Sequence, residues 1–451
     1  MAWLAALLAV AAAEVVFVLE VCRHGSRAPT DPTVCPWDQD GRWGNGWGEL
    51  SPVGMRMHFL LGSELRQRYV LSQSVFDPEF NSTQIYVRST DLNRTITSAQ
   101  SQLMGLFPPP NGPTVSDSMG DVAVPPISVQ KEANIVNALQ NRALPFQFSS
   151  FPVHVFPYMS DFVLLPNAAC YNLLLYTYAS AEVQQAITNI SLSNPWLLEG
   201  LQAFIPIQTE YIASNLTNIV DSIYCSQAMG FPLPAFSPEL LNNATNIFNQ
   251  IFSVYYQDDL YIRYGASWFF WDLVEHFEAV MQGTEPTKFR LYSAHDTTLA
   301  AFLAGLQVYD NKQPPFASSL IFEVSETNGD FSVQVLYNDV PLIIGPCKSA
   351  QCPLQTFTDY LRLRAFASEN VCLPPSSQPW NDTKKSSSDS IVPDSGSSDL
   401  KWEAWVTIAL CAVTLLLFLA ACILSRSESA ARKFESSQSS IDERVINFPK
   451  P

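Results

Sequence analysis

The sequence predicts an α/β protein in which a central sheet carries an inserted, mainly helical cap. Three short apolar segments are each followed at once by helix-forming residues, a pattern typical of strand–helix units in a covered sheet. A long stretch between the second and third segments reads as helix and loop. The chain has 451 residues, 47% of them hydrophobic, which suffices for one large domain or two moderate ones.

The first unit begins at 14–22 (EVVFVLEVC), which is rich in Val and too short for a typical helix, so we expect a buried strand. Ser51 and Pro52 are typical of an N-cap and a first helical position, and they predict a helix over 53–70. The helix places three apolar side chains near one face: Met55, Phe59 and Leu60.

The second unit has a short strand at 85–87 and a helix ending at Leu106, with Thr90 or Asp91 as its predicted cap. Prolines break regular structure over 107–126. The third unit has a strand at 289–293, again followed by helix-forming residues.

The middle of the chain, 134–265, reads as helix and loop with one strand at 153–156. An apolar, aromatic helix follows at 266–282, and two late strands flank the turn Asn328-Gly329. The late strands are expected at 321–324 and 331–336. The predicted division is a sheet domain built from 14–125 and 263–375, with the helical cap at 126–262.

The two ends indicate passage through the secretory pathway. Residues 1–13 are apolar and end in three alanines, as a cleaved signal peptide does. Residues 403–424 contain a 20-residue run without a charge, long enough to span a membrane, and basic residues follow it. We therefore expect a single-pass type I protein, with a flexible stalk at 376–402 and a cytoplasmic tail at 425–451.

Charge and modification signals fit a lumenal or extracellular body. The formal net charge of −17 argues against nucleic acid as a partner. Six Asn-x-Ser/Thr triplets are candidate glycosylation sites. Their first residues are Asn81, Asn93, Asn189, Asn215, Asn243 and Asn381. Seven cysteines lie between the two apolar ends, so at least one is unpaired within the chain.

The chemistry-bearing residues follow the three predicted strands. The first strand leads into Arg23-His24-Gly25-Ser26-Arg27, the second into a stretch containing Arg94, and the third into His295-Asp296. Ligands bind at the carboxyl ends of strands in open α/β sheets. Arginine matches phosphate oxygens in bidentate geometry, and histidine can attack phosphorus to form a covalent intermediate. The pattern predicts a phosphate-handling site.

These motifs resemble the histidine acid phosphatase family, a branch of the phosphoglycerate-mutase-like fold, and within it the prostatic, lysosomal and testicular group. The resemblance covers most of the lumenal body. Its segments are RHGSRAP at 23–29, IYVRSTDLNRT at 85–95, PVHVFP at 152–157, YSAHDTT at 292–298, PPFAS at 314–318 and Cys-Pro at 352–353. The tail is similar to that of the membrane-anchored members.

The resemblance implies a role for each matching residue. His24 would be the nucleophile and Asp296 the proton donor. Four side chains would bind the substrate phosphate: Arg23, Arg27, Arg94 and His295. Asn93 should carry no glycan, because a glycan there would obstruct the pocket. The expected substrates are small phosphate monoesters or phosphoproteins, with no metal and no other cofactor, and the resemblance implies a homodimer.

The resemblance also implies the disulfides Cys170–Cys372 and Cys347–Cys352. Cys225 matches a family cysteine whose partner would lie near Ser319. Cys225 is therefore free or paired with Cys35, and Cys22 is expected as a buried thiol.

Several alternatives remain open from the sequence. His58, His154 and His276 occur in apolar settings, which favours packing roles. Arg88 fits a structural role as well as a catalytic one, and Arg94 could pair with Asp91. An inositol-polyphosphate phosphatase or phytase of the same fold is the first alternative function. Residues 134–265 disfavour it because their only cations are Arg142 and Arg263. A non-catalytic surface glycoprotein is the second alternative, and the expected location is the lysosomal or the cell-surface membrane.

Overall fold

The computed structural model describes residues 13–372 apart from 33, 39, 40, 45 and 368. Residues 1–12 of the predicted signal peptide lie outside this range, as do Asn381 and the predicted membrane span, tail and stalk. Within the described range, no helix is both long enough and apolar enough to cross a membrane.

A mixed sheet forms the centre of the described chain. Its strands are β1 Glu14–Arg23, β2 Ile85–Thr90, β3 His154–Phe156, β4 Phe289–Ala294, β5 Ser319–Thr327, β6 Asp330–Tyr337, β7 Val340–Leu342 and β8 Gln351–Pro353. The order is β3-β2-β4-β1-β5-β6-β7, and β8 pairs with β6. β1, β2, β3 and β4 run parallel, whereas β5 is antiparallel to β1. The predicted strands are confirmed; β7 and β8 are too short to show a pattern in sequence.

Helices cover the sheet and form the cap. Their bounds are α1 Pro52–Leu65, α2 Asn93–Leu106, α3 Glu132–Leu139, α4 Pro166–Ala169, α5 Tyr171–Ala179, α6 Ala181–Leu192, α7 Pro195–Gln202, α8 Thr209–Ser214, α9 Leu216–Met229, α10 Pro238–Ser253, α11 Asp259–Met281, α12 Asp296–Gly305 and α13 Leu354–Arg364. A π-helical segment, Arg66–Ser72, continues α1. The sequence therefore predicted the mainly helical middle region correctly.

The buried face of α1 differs from the apolar face marked in the sequence. Ser51 caps the helix as predicted, its Oγ accepting from the Gly54 N–H at 3.0 Å. Met55, Phe59 and Leu60 are nevertheless exposed. The buried positions include Gly62, where a Cβ would lie 1.9 Å from the Gln102 carbonyl oxygen of α2. The two helices pack backbone to backbone through small residues, which a search for large apolar side chains does not detect.

The predicted cap of α2 is wrong. Leu92 is the N-cap residue and makes no side-chain capping bond. β2 runs one residue further than a cap at Thr90 would allow, and the Thr90 hydroxyl lies 3.0 Å from His295 Nε2 instead. The Thr90 side chain therefore contacts His295, which follows β4, and does not cap α2.

The apolar interior falls into three groups. One face of the sheet packs against α11, α12 and α13 through aromatic rings, among them Phe269 stacked on Phe302 at 3.7 Å between centroids. The other face packs against α1 and α2. The third group lies among the cap helices and includes Leu197, Ile219 and Ile247. The disulfides Cys170–Cys372 and Cys347–Cys352 are both present, as expected.

Candidate active site

The three predicted motifs meet at one edge of the sheet. Arg23 at the end of β1 lies beside Ala294 at the end of β4, and Ser89 near the end of β2 lies beside Ser293. Because these strands are parallel, their carboxyl ends deliver the segments that follow to a common place. The ring centroids of His24 and His295 are 5.6 Å apart.

His24 is a buried, neutral imidazole within the cluster. Its Nδ1 lies 2.9 Å from the Gly25 carbonyl oxygen. A carbonyl oxygen can only accept, so Nδ1 carries the proton and Nε2 keeps its lone pair. Burial, followed by the positive charges of Arg23, Arg27 and Arg94, holds the pKa of His24 well below its usual range. The imidazole therefore stays unprotonated in mildly acidic surroundings.

Arg23 and Asp296 form an ion pair inside the site. Arg23 is fully buried, and its Nη2 lies 2.8 Å from Asp296 Oδ2. Asp296 also accepts from the Thr297 N–H at 2.7 Å and from Gln313 Nε2 at 2.7 Å. Burial opposes ionisation of the carboxyl group, but Arg23 and Arg27 outweigh it and hold the pKa of Asp296 below its usual value.

Arg27 is held by a residue of the cap. Its Nη1 and Nη2 donate to the two carboxylate oxygens of Asp221 on α9, at 3.0 and 3.1 Å. Its Nη1 also donates to the Ala28 carbonyl oxygen at 2.8 Å and lies 3.5 Å from the sulfur of Cys225. The bidentate pair fixes the plane of the guanidinium group.

Arg94 and His295 complete the cluster. Burial, followed by the charge of Arg27, lowers the pKa of Arg94 to about 10. Burial, followed by Arg94, lowers the pKa of His295 to about 3. No ion pair between Arg94 and Asp91 occurs in the described chain. Asn93, at the rim, is exposed and donates to Glu49 at 2.9 Å.

Each of the three arginines brings an unpaired donor to the buried cluster. The Nε atoms of Arg23, Arg27 and Arg94 are buried and have no hydrogen-bond partner. An unpaired buried donor is costly unless an acceptor reaches it. The oxygens of a phosphoryl group are strong acceptors for guanidinium donors, so the cluster suits a bound phosphate.

A buried polar network lies behind the motif, and the sequence did not reveal it. His58 Nε2 lies 3.1 Å from the Arg23 carbonyl oxygen and its Nδ1 lies 2.9 Å from Gln102 Oε1. Gln102 Nε2 in turn donates to Glu20, which also accepts from Ser319 at 2.7 Å. Burial raises the pKa of Glu20 to about 7 and lowers that of His58 to about 4. Glu20, a charged residue in the interior of the apolar segment 14–22, was the available signal.

Other predicted residues have structural roles. Arg88 pairs with the buried Asp161, so its role is structural. His58 is buried, whereas His154 is exposed and stacks on Tyr86 at 5.0 Å between ring centroids, which agrees with the predicted packing roles. His276 is half-buried and lies 2.7 Å from Glu285.

Cys22 and Cys225 lie outside the two disulfides, and their states decide between the alternatives left open by the sequence. Cys22 is a buried free thiol, as expected. Cys225 is also a buried free thiol, so the alternative of a bond to Cys35 does not hold.

A neutral imidazole among three guanidinium groups, with a carboxyl group beside it, forms a site on an α/β sheet that suits a bound phosphoryl group. The chain belongs to the histidine phosphatase superfamily (branch 2), whose family model matches residues 14–170 and 211–338.

Curated relatives extend over most of the chain. It is 30% identical to the lysosomal acid phosphatase of Bos taurus over 363 residues, covering 77% of this chain and 76% of the relative. It is 29% identical to the testicular acid phosphatase of Homo sapiens, covering 76% and 78%. It is 27% identical to the prostatic acid phosphatase of Bos taurus, covering 78% and 85%. The predicted assignment to the acid phosphatases, enzymes that hydrolyse phosphate monoesters, is confirmed.

Solved structures confirm the fold. Hafnia alvei phytase in complex with tartrate aligns with a TM-score of 0.58 at 16% identity, over 81% of this chain and all of the phytase. At that identity the likeness concerns the arrangement of sheet and helices alone.

Proposed function

We propose that His24 and Asp296 hydrolyse phosphate monoesters in two steps through a phosphohistidine. The observation that carries the proposal is the unprotonated Nε2 of His24, enclosed by the guanidinium groups of Arg23, Arg27 and Arg94. These fixed cations lie where negative charge would develop on the phosphoryl oxygens.

In the first step, the lone pair of His24 Nε2 forms a bond to phosphorus while the bond from phosphorus to the ester oxygen breaks. Asp296, protonated, gives its proton to that oxygen, so an alcohol leaves rather than an alkoxide. In the second step the Asp296 carboxylate takes a proton from water as the water oxygen attacks phosphorus. The nitrogen–phosphorus bond breaks, phosphate is released, and both residues return to their starting states.

Acidic conditions suit both residues. The depressed pKa of His24 keeps the nucleophile unprotonated as pH falls. The arginines favour ionised Asp296 in the absence of substrate. A bound phosphate dianion would offset their charge and raise the pKa of the carboxyl group. We expect the rate on alkyl phosphates to fall as pH rises toward neutrality, because the acid form of Asp296 is lost.

The cap is poorly suited to a polyanionic substrate. Residues 126–262 contain only two cations, Lys131 and Arg142, and Arg142 already donates to the carbonyl oxygens of Leu139 and Ala138. Arg263, directly after this range, donates to the Ala365 carbonyl oxygen. A simple monoester therefore remains the favoured substrate over an inositol polyphosphate.

We infer that the catalytic body is lumenal or extracellular and is tethered by the span at 403–424, in the lysosomal or the cell-surface membrane. The relatives named as lysosomal and prostatic acid phosphatases support a compartment of the secretory system. The two disulfides agree with an oxidising environment. The proposed glycan carriers are Asn81, Asn189, Asn215, Asn243 and Asn381, with Asn93 bare.

Trapping of the intermediate tests the mechanism. The full chain would be mixed with a ³²P-labelled monoester at pH 5, quenched in alkali, which preserves phosphohistidine, and digested. We expect label on the peptide containing His24, and none with His24→Ala. His154→Ala is the matched control, because that histidine is exposed and stacks on Tyr86 away from the cluster. Label on another peptide would overturn the assignment of the nucleophile.

A further inference from the structure

A cavity beside the catalytic cluster has no part in the mechanism above. It encloses about 200 Å³ between α9, α10 and the loop 312–315. Its apolar walls come from Val220, Ile223, Leu241, Ala244 and Phe248. A cavity of roughly 150 Å³ accommodates a benzene ring, so this one has room for roughly six to eight carbon atoms.

Three further wall residues connect the cavity to the catalytic cluster. Gln313 donates to Asp296 Oδ2 at 2.7 Å, and Asp221 holds both Nη atoms of Arg27. Tyr224 stacks on Phe316 at 4.7 Å between ring centroids, and Phe316 lies 4.3 Å from the guanidinium carbon of Arg23. The cavity therefore adjoins the side of the site where the proposed proton donor is held. Asp296 must face the ester oxygen, so the leaving group emerges on that side.

The charges of the walls indicate the chemistry of the occupant. Asp221 is neutralised by Arg27, and the one other charged wall residue, Lys312, is exposed. The rest of the lining is apolar or uncharged. We propose that this cavity is the leaving-group subsite and that it accepts the alkyl chain, about six to eight carbon atoms long, of a phosphate monoester. The assignment rests on the proposed function, because it takes Asp296 as the donor to the leaving oxygen.

A series of linear alkyl phosphates tests the subsite. Ethyl, butyl and hexyl phosphate have leaving alcohols of nearly equal acidity, so their intrinsic reactivity is the same. Each methylene that enters the cavity should raise kcat/KM by about threefold, the effect of burying apolar surface. We expect hexyl phosphate to exceed ethyl phosphate by at least about tenfold in the wild-type chain.

Two pairs of variants locate the effect. Gln227 on α9 is exposed and lines the cavity, whereas Asn218 on the same helix is exposed and does not. Gln227→Trp should remove most of the preference for hexyl phosphate, and Asn218→Trp should keep it. Phe248→Ala should flatten the series, while Phe204→Ala, another partly buried phenylalanine of the cap core, should not. The second pair controls for loss of cap stability.

The outcomes separate this assignment from the proposed function. Equal kcat/KM for all three esters in an active wild-type enzyme overturns the subsite and leaves the phosphatase mechanism standing. A chain-length preference that survives both Gln227→Trp and Phe248→Ala overturns the location. A wild-type chain that hydrolyses neither the three alkyl phosphates nor p-nitrophenyl phosphate overturns the proposed function itself.

Discussion

The catalytic site has two halves that differ in origin and in construction. The strand ends supply His24, Arg23, His295 and Asp296, all delivered by parallel strands of one sheet. The cap supplies Asp221 and Tyr224 from α9, far away in the sequence. The first half rests on a buried polar network, Glu20–Gln102–His58, that ends at the Arg23 carbonyl oxygen. The second half meets the first through side-chain contacts across the cleft.

The difference suggests a division of tasks. The strand-end half holds the atoms that would form and break bonds. The hydrogen-bonded register of the sheet fixes the relative positions of the strand ends that carry them. The cap half orients Arg27 through Asp221 and, as proposed, shapes the space for the leaving group. Changes in the strand-end half should therefore affect the chemical step, and changes in the cap should affect binding and specificity. The predictions below test that contrast.

The largest expected effect is on proton donation by Asp296. Asp296→Asn should lower kcat on hexyl phosphate by about a thousandfold, within the usual range for general acid catalysis. The loss on p-nitrophenyl phosphate should be less than about tenfold, because nitrophenolate leaves without a proton. Asp272→Asn, at a carboxylate that accepts from Tyr292 outside the cluster, is the control and should leave both rates near wild type. Equal losses on both esters would show that Asp296 acts only through its ion pair with Arg23.

The sequence revealed the strand-end half because each motif directly follows its strand. Arg23, His24 and Arg27 follow β1 in a single run, so local pattern and chemistry coincide. Asp221 sits in an ordinary helical stretch, and nothing near it indicates that it reaches Arg27 194 residues earlier. The predicted buried face of α1 was wrong for a related reason. Met55 is exposed and Gly62 is buried, because close backbone contact between helices leaves no hydrophobic signal in the sequence.

The second prediction concerns the pH dependence of stability, which we expect to depend on Glu20 in the buried network behind the strand ends. Glu20 is buried and its pKa is raised to about 7 from 4.5. The folded state therefore binds a proton more tightly than the unfolded state, and stability contributed at low pH is lost as pH rises from 4.5 through 7. Relative to Glu20→Gln, the wild-type free energy of unfolding should fall by up to about 3 kcal/mol between pH 4.5 and 7.5.

Glutamine is a suitable replacement because, like the protonated acid, it is neutral and combines a carbonyl oxygen that accepts with a group that donates. The buried histidines His58 and His295 act in the opposite direction in acid, but they are present in both proteins and cancel in the difference. Denaturant titrations at several pH values measure the effect. The exposed Glu239→Gln should follow the wild-type profile. Parallel profiles for wild type and Glu20→Gln would show that Glu20 does not titrate in this range.

The smallest expected effect is on the cap half, where Asp221 holds Arg27. Asp221→Ala removes the bidentate pair, so Arg27 loses its fixed orientation, and KM for p-nitrophenyl phosphate should rise by about tenfold. The change in kcat should be smaller, because the nucleophile and the proton donor stay in place on the sheet. Asp221→Asn keeps the shape of the side chain and one acceptor oxygen, so its KM should lie between those of the wild type and Asp221→Ala. Asn218→Ala, on the exposed side of α9, should match the wild type. A loss confined to kcat, with KM and inhibition by inorganic phosphate unchanged, would show that this cap residue serves the chemical step and would remove the contrast between the two halves.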